Sequence, residues 1–165
     1  MSYVKIGKIV TTHGIKGELR ILSNFEYKDK VFIPGFKLYI GKDYTEEEIA
    51  TYRPHKEFDM VTLKNYSNIN EVLKYLKNEV YINKEDLNLN SNEYILEELV
   101  GYKVVFNNED YGKVIEIVYN NSNVLLLVEG KKHFYIPNNE NFIEKVNNEN
   151  KEIYVKNIEG LILWK

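Results

Sequence analysis

Three histidines and one glycine-framed loop are the residues of this 165-residue sequence best suited to chemistry. His13, His55 and His133 stand far apart along the chain and show no H-x-x-x-H spacing, so each reads as a structural or surface histidine rather than a metal ligand. Without cysteine there is no thiolate nucleophile, zinc–thiolate site or disulfide. A nucleophile also needs a base within reach, and the sequence has no G-x-S-x-G elbow, Walker A loop or dinucleotide fingerprint. Carboxylates pair by chance in any chain with 25 acidic residues, and none stands beside a second catalytic group. The expectation is a protein that is not an enzyme and uses neither cofactor nor metal. The segment GKIVTTHGIKGE is different. Gly14 and Gly17 permit positive φ or close backbone approach on both sides of Ile15 and Lys16, and a turn there presents His13 and Lys16.

The elements that would hold this loop are strands. Val4, Ile6, Lys8 and Val10 alternate with Lys5, Gly7 and Ile9, and alternation resumes over 18–22, which predicts two strands joined by the loop. Pro34 and Gly35 mark a turn before a strand at 37–40, and apolar runs at 48–55, 60–63 and 79–82 continue the pattern. One helix is expected over 68–77, where Ile69, Val72, Leu73 and Leu76 share a face and Asn68 and Glu71 are spaced as a capping box. It should plug one end of a barrel. The asparagine-rich stretch 83–93 reads as a linker, which divides the chain into domains at 1–82 and 94–165. Beyond it, short strands are expected at 102–106, 113–119, 124–128 and 133–136, with a hairpin of 142–146 and 152–155, separated by a turn NNEDYG at 107–112 and a turn NNSN.

Hydrophobic residues make up 44% and charged residues 28%, which supports a packed core and excludes a disordered chain. The length excludes a large catalytic architecture. No apolar run approaches a membrane span and the N-terminus has no signal-peptide core, so with the missing cysteines a cytoplasmic protein that avoids membranes is expected. Net charge is −3, too acidic for a protein that coats nucleic acid by bulk electrostatics. The charge is unevenly spread: residues 1–42 hold seven Lys and Arg20 against Glu18, Glu26 and Asp29, whereas 91–165 hold eight Lys against twelve acidic residues. A basic front lobe and an acidic rear lobe suit a bridge between a polyanion and a basic protein, or are solvated faces. Lys outnumbers Arg 20 to 2 and Ala50 is the only alanine, a bias typical of an AT-rich coding sequence, so the 14 tyrosines are not read as a functional signal.

Gly7, Ile9, His13, Gly14, Ile15, Gly17 and Glu18 together resemble the opening motif of the ribosome maturation factor RimM family. Pro34 and Gly35, Arg53 with His55 and Lys56, Asn70 and Glu71, and Glu93 and Tyr94 ahead of Glu98 to Gly101 resemble later landmarks of the family. Gly112 to Val114, Ile136 and Pro137, and Glu159 to Leu161 are similar to a PRC barrel, so the resemblance spans the chain. It implies a mainly β protein of two small barrels: a six-stranded, translation-factor-like barrel with one short helix, then a PRC barrel. It also implies an assembly chaperone of the pre-30S subunit, acting as a monomer. Such a chaperone binds a basic ribosomal protein of the subunit head, the nineteenth in the usual numbering, and assists 16S rRNA maturation. Glu93, Tyr94, Ile95 and Leu99 are the expected ribosomal-protein contacts, and His13, Lys16 and Arg20 the expected rRNA-proximal face. A free RNA-binding barrel and a small RNA-acting enzyme are the alternatives. Three positions depart from the family pattern: Ile95 follows Tyr94 where a second aromatic is usual, Asn78 stands where the helix usually ends in glycine, and Asn138 follows Pro137 where an aromatic is common.

Overall fold

A strand that buries one face needs alternate apolar residues, and the front of the chain folds six of them into one sheet. In the computed structural model, which describes residues 1–162, these are β1 (Tyr3–His13), β2 (Glu18–Leu22), β3 (Lys37–Ile40), β4 (Thr45–His55), β5 (Phe58–Leu63) and β6 (Glu79–Asn83). They pair in the order β1-β2-β5-β4-β3-β6, and β6 returns to β1 from Tyr3↔Asn83 to Lys8↔Glu79, so the barrel closes and leaves no open edge. Inside it Ile9, Leu19, Ile21, Leu38, Ile40, Leu63, Val80 and Ile82 are fully buried. Each such side chain contributes about 1.5–3 kcal/mol relative to exposure. Asp59 is the one buried charged residue among those described. It accepts a hydrogen bond from Tyr52 Oη at 2.7 Å, and Lys28 Nζ of α1 (Lys28–Val31) lies 2.8 Å from its other oxygen. Burial, and then the Asp59 carboxylate, push the Tyr52 phenol up to about 12.

The helix expected over 68–77 is shorter and of two kinds: α2 (Ile69–Val72) runs into a 3-10 turn at Leu73–Tyr75. Its start is as expected, since Glu71 Oε1 accepts from the backbone N–H groups of Ser67 at 2.8 Å and Asn68 at 3.2 Å. The tighter turn then places Val72 and Tyr75 on one side, and both are buried while Leu73 is exposed. Tyr75 earns this place by donating to the Glu47 carboxylate, which Tyr66 Oη also reaches at 2.5 Å. Backbone bonds from Ile69 N to Ile15 O and from Lys77 N to Ile9 O, each 2.8 Å, fasten the helix over the β1 end of the barrel.

The chain divides into two compact units, Met1–Asn88 and Leu89–Lys165. Of the stretch read as linker over 83–93, Asn83 still pairs in β6, and residues 84–87 form a 3-10 turn that buries Leu87 and ties Lys84 N to Ser2 O at 2.8 Å. The rear unit contains β7 (Lys103–Phe106), β8 (Glu109–Asn120), β9 (Asn123–Glu129), β10 (His133–Pro137), β11 (Ile143–Asn147), β12 (Glu152–Val155) and the single turn α3 (Glu159–Ile162). The sheet order is β10-β9-β8-β7-β12-β11, with β12 parallel to β7. The turn expected at 107–112 contracts to Asn107 and Asn108, both at positive φ, a two-residue loop whose twist suits a hairpin. Val104, Val114, Leu126, Val128, Ile136 and Ile153 form the centre of the rear core.

Candidate functional site

The loop between β1 and β2 is held from three sides. Gly17 has φ +85°, and a Cβ there would lie 2.9 Å from Asn68 O and 3.2 Å from Val72 Cγ2, so glycine is required both for conformation and for contact with α2. Ile15 O accepts from Ile69 N, and the Gly17 N–H points back to Gly14 O at 3.5 Å. Lys16 is exposed on this loop and carries no ion pair among the described residues.

Beside the loop the barrel gathers side chains that are remote in sequence. Arg20, half-buried on β2, directs one nitrogen to His13 Nδ1 at 2.7 Å and the other to Thr11 Oγ1 and Thr12 O, each at 3.3 Å, while its carbon end lies 5.8 Å from the Phe58 ring centre. A guanidinium only donates, so Nδ1 of His13 is the acceptor and the ring proton sits on Nε2. The rings of His13 and His55 are 6.3 Å apart. Arg53 forms a two-pronged bond to Glu18, with both contacts at 2.8 Å. That hydrogen bond holds the Glu18 carboxyl below its ordinary value of 4.5 and raises Arg53. Arg20 and Arg53 flank Met60 from either side of β5, and Met60 is fully buried.

The expected residues His13, Lys16 and Arg20 thus share one end of the barrel, and Arg53, His55 and Glu18 join them. Sequence spacing hides that convergence, because Glu18 and Arg53 are 35 residues apart and meet through the β2-β5-β4 order. The Glu18 carboxyl, depressed in the folded state, contributes stability that is full above the ordinary carboxylate value and is lost as pH falls through the lowered one. Arg53 is half exposed, so solvent screening keeps the contribution of the pair small. Arg53→Gln is therefore expected to lower stability slightly at pH 7 and progressively less as the pH falls below the ordinary carboxylate value of 4.5, measured by urea melts across a pH series. A loss that stays constant across the series would refute the role of the pair.

In the rear unit, Tyr94 borders a cleft of about 370 Å³ with Asn92, Asn138, Ile143, Glu144 and Val146 among its walls. The Tyr94 hydroxyl donates to Asn138 Oδ1 at 3.4 Å, and its ring packs partly against the rear core. Lys145, also at the cleft, extends over the Tyr154 ring at 5.5 Å. Glu93 closes the 90–93 turn, accepting from Asn90 N at 3.1 Å. Ile95 and Leu99 do not join this surface: they are 2% and 1% exposed. Leu99 belongs to the rear core, at the end of the 3-10 turn Leu96–Leu99. Only Glu93 and Tyr94 of the four expected contacts are accessible. Asn138 is one of the residues that hold Tyr94 in this orientation.

Comparison with known proteins bears on both units. Residues 4–87 match the family described as RimM N-terminal domain, and residues 96–161 match RimM PRC barrel domain. A ribosome maturation factor RimM of Staphylococcus haemolyticus is 36% identical over 96% of this chain and 98% of its own. One of Oceanobacillus iheyensis is 39% identical over 98% of this chain and 99% of its own. The solution structure of the N-terminal domain of RimM from Thermus thermophilus aligns with a TM-score of 0.45 at 20% identity, covering 53% of this chain and 95% of that one.

Proposed function

This chain belongs to the RimM family of ribosome maturation factors, and from that premise we propose that it binds the assembling small ribosomal subunit and favours the mature conformation of the subunit head. In this reading the front barrel faces 16S rRNA with His13, Lys16 and Arg20, and the rear unit holds a basic head protein at Tyr94 and Glu93. The observation that carries it is the charge left over at the front loop. Among the described residues Arg20 bonds to neutral acceptors and Lys16 to no anion, so two cations stand ready for phosphate. The rear segment 91–165, with twelve acidic residues against eight lysines, suits a basic partner. A chaperone of this kind needs no chemistry: it shifts a conformational equilibrium by as much as its affinity differs between the two states. Co-sedimentation with immature and mature small subunits, with and without the head protein, tests it. Preferential binding to immature subunits that depends on the head protein is expected; equal binding to both, or binding indifferent to that protein, would overturn it.

Tyr94→Ala separates anchoring from packing. Because the ring packs partly on the rear core, about 1–2 kcal/mol of stability should be lost. Affinity for the purified head protein should fall at least about tenfold, ~1.4 kcal/mol. Tyr94→Phe keeps the packing and isolates the hydroxyl. Wild-type affinity in Tyr94→Ala would remove the residue from the interface. Ile95→Tyr, which restores the family's second aromatic, should cost roughly 1–3 kcal/mol of stability through overpacking, since Ile95 is buried.

A further inference from the structure

Ile15 is the most exposed large hydrophobic residue among those described, at 82%. A single exposed apolar side chain is ordinary, but this one sits on a backbone that is fixed. Its own carbonyl accepts from Ile69 N, Gly17 two residues on packs against Asn68 and Val72, and His13 two residues back is held by Arg20. The loop therefore presents an aliphatic tip at little further entropic cost on binding, next to the cation of Lys16, which has no counter-charge among the described residues. An apolar tip beside unneutralised cations matches one kind of surface well: the face of an unstacked nucleobase, which is apolar, framed by the phosphates of its own strand.

Resting on the reading of the front barrel as an RNA face, we propose that Ile15 packs against an unstacked base in a loop or bulge of structured RNA, while Lys16 and Arg20 contact the flanking phosphates. This contact supplies a salt-independent part of the affinity, and the cations supply the salt-dependent part.

The full chain is titrated onto a transcript of the 16S rRNA head domain over a potassium chloride series. Ile15→Ser should weaken binding about fivefold to tenfold, the size of partial burial of one aliphatic side chain. The slope of log K against log salt and the melting temperature should not change. Lys16→Ala should flatten that slope by about 1. Ile15→Ser binding as tightly as wild type, while Lys16→Ala flattens the slope, would overturn the wedge and leave the RNA face standing. A wild-type chain that does not bind the transcript would overturn both. As a second arm, Ile15→p-benzoylphenylalanine is irradiated on immature small subunits. Crosslinking to rRNA is expected, and crosslinking to protein alone would overturn the proposal in favour of a protein pocket.

Discussion

Gly112→Ala is expected to destabilise the rear unit by more than about 3 kcal/mol. Gly112 has φ +122°, and a Cβ there would stand 2.2 Å from Glu129 O and 2.8 Å from Gly130 Cα. Gly130 meets the same obstacle from the other side, with Tyr111 O 2.3 Å from its ideal Cβ. Every obstructing atom belongs to the backbone, so relief means prising β8 from β9, whose ladder runs from Lys113↔Glu129 to Asn120↔Asn123. Gly35→Ala is the control: φ is +91° but nothing lies within 4 Å, and only about 1–2 kcal/mol of backbone strain is expected. Urea melts followed by circular dichroism compare the two. Equal destabilisation would show that conformation alone, and not the close approach, makes Gly112 necessary.

The second large effect concerns binding. Lys16→Glu combined with Arg20→Glu should weaken association with assembling small subunits by about a hundredfold, ~2.7 kcal/mol, because two attractive charges become two repulsive ones. The two substitutions differ in their effect on folding. Lys16 is exposed and has no ion pair among the described residues, so Lys16→Glu should leave stability within about 0.5 kcal/mol. Arg20 holds His13, Thr11 and Thr12, and its replacement by Glu sets a new carboxylate two residues from Glu18, so about 1–2 kcal/mol should be lost. Lys16→Glu alone thus measures the electrostatic contribution cleanly. Unchanged subunit binding at physiological salt in the double variant would remove this face from the interaction.

Most strands were legible because alternation is a local property: 18–22, 37–40 and 152–155 agree with the structure to the residue, each set by its own side chains. The helix was legible at its start, where Asn68 and Glu71 act within one turn. Its switch to 3-10 geometry was not, because it depends on Tyr75 reaching Glu47, 28 residues earlier. The same limit applies to the site. The glycines at 14 and 17 announce a special loop, but that Gly17 must be bare because Asn68 and Val72 press on it is a fact of packing. The family resemblance puts Ile95 and Leu99 among the contacts with Tyr94, whereas both are buried where the chain enters and leaves the 3-10 turn at Leu96–Leu99. Arg53 and His55 join His13 only after the strands reorder, which no local pattern announces.

The parallel pairing of β12 with β7 sets a timetable for synthesis. The front sheet has all its strands once residue 83 is made, because β6 is the last to enter and closes directly on β1. In the rear unit β7 waits through nearly fifty residues for β12, the neighbour on its second side, and β11 reaches the sheet only through β12. Contacts of such long sequence separation are slow to form, since loop closure must precede any gain from pairing. The front barrel can therefore complete while the rear is still emerging from the translating ribosome, at a rate of about 5–20 residues per second. For those seconds β7 is an open edge of the growing β10-β9-β8-β7 sheet, and Lys103 on it is a charge that discourages that edge from pairing with another chain.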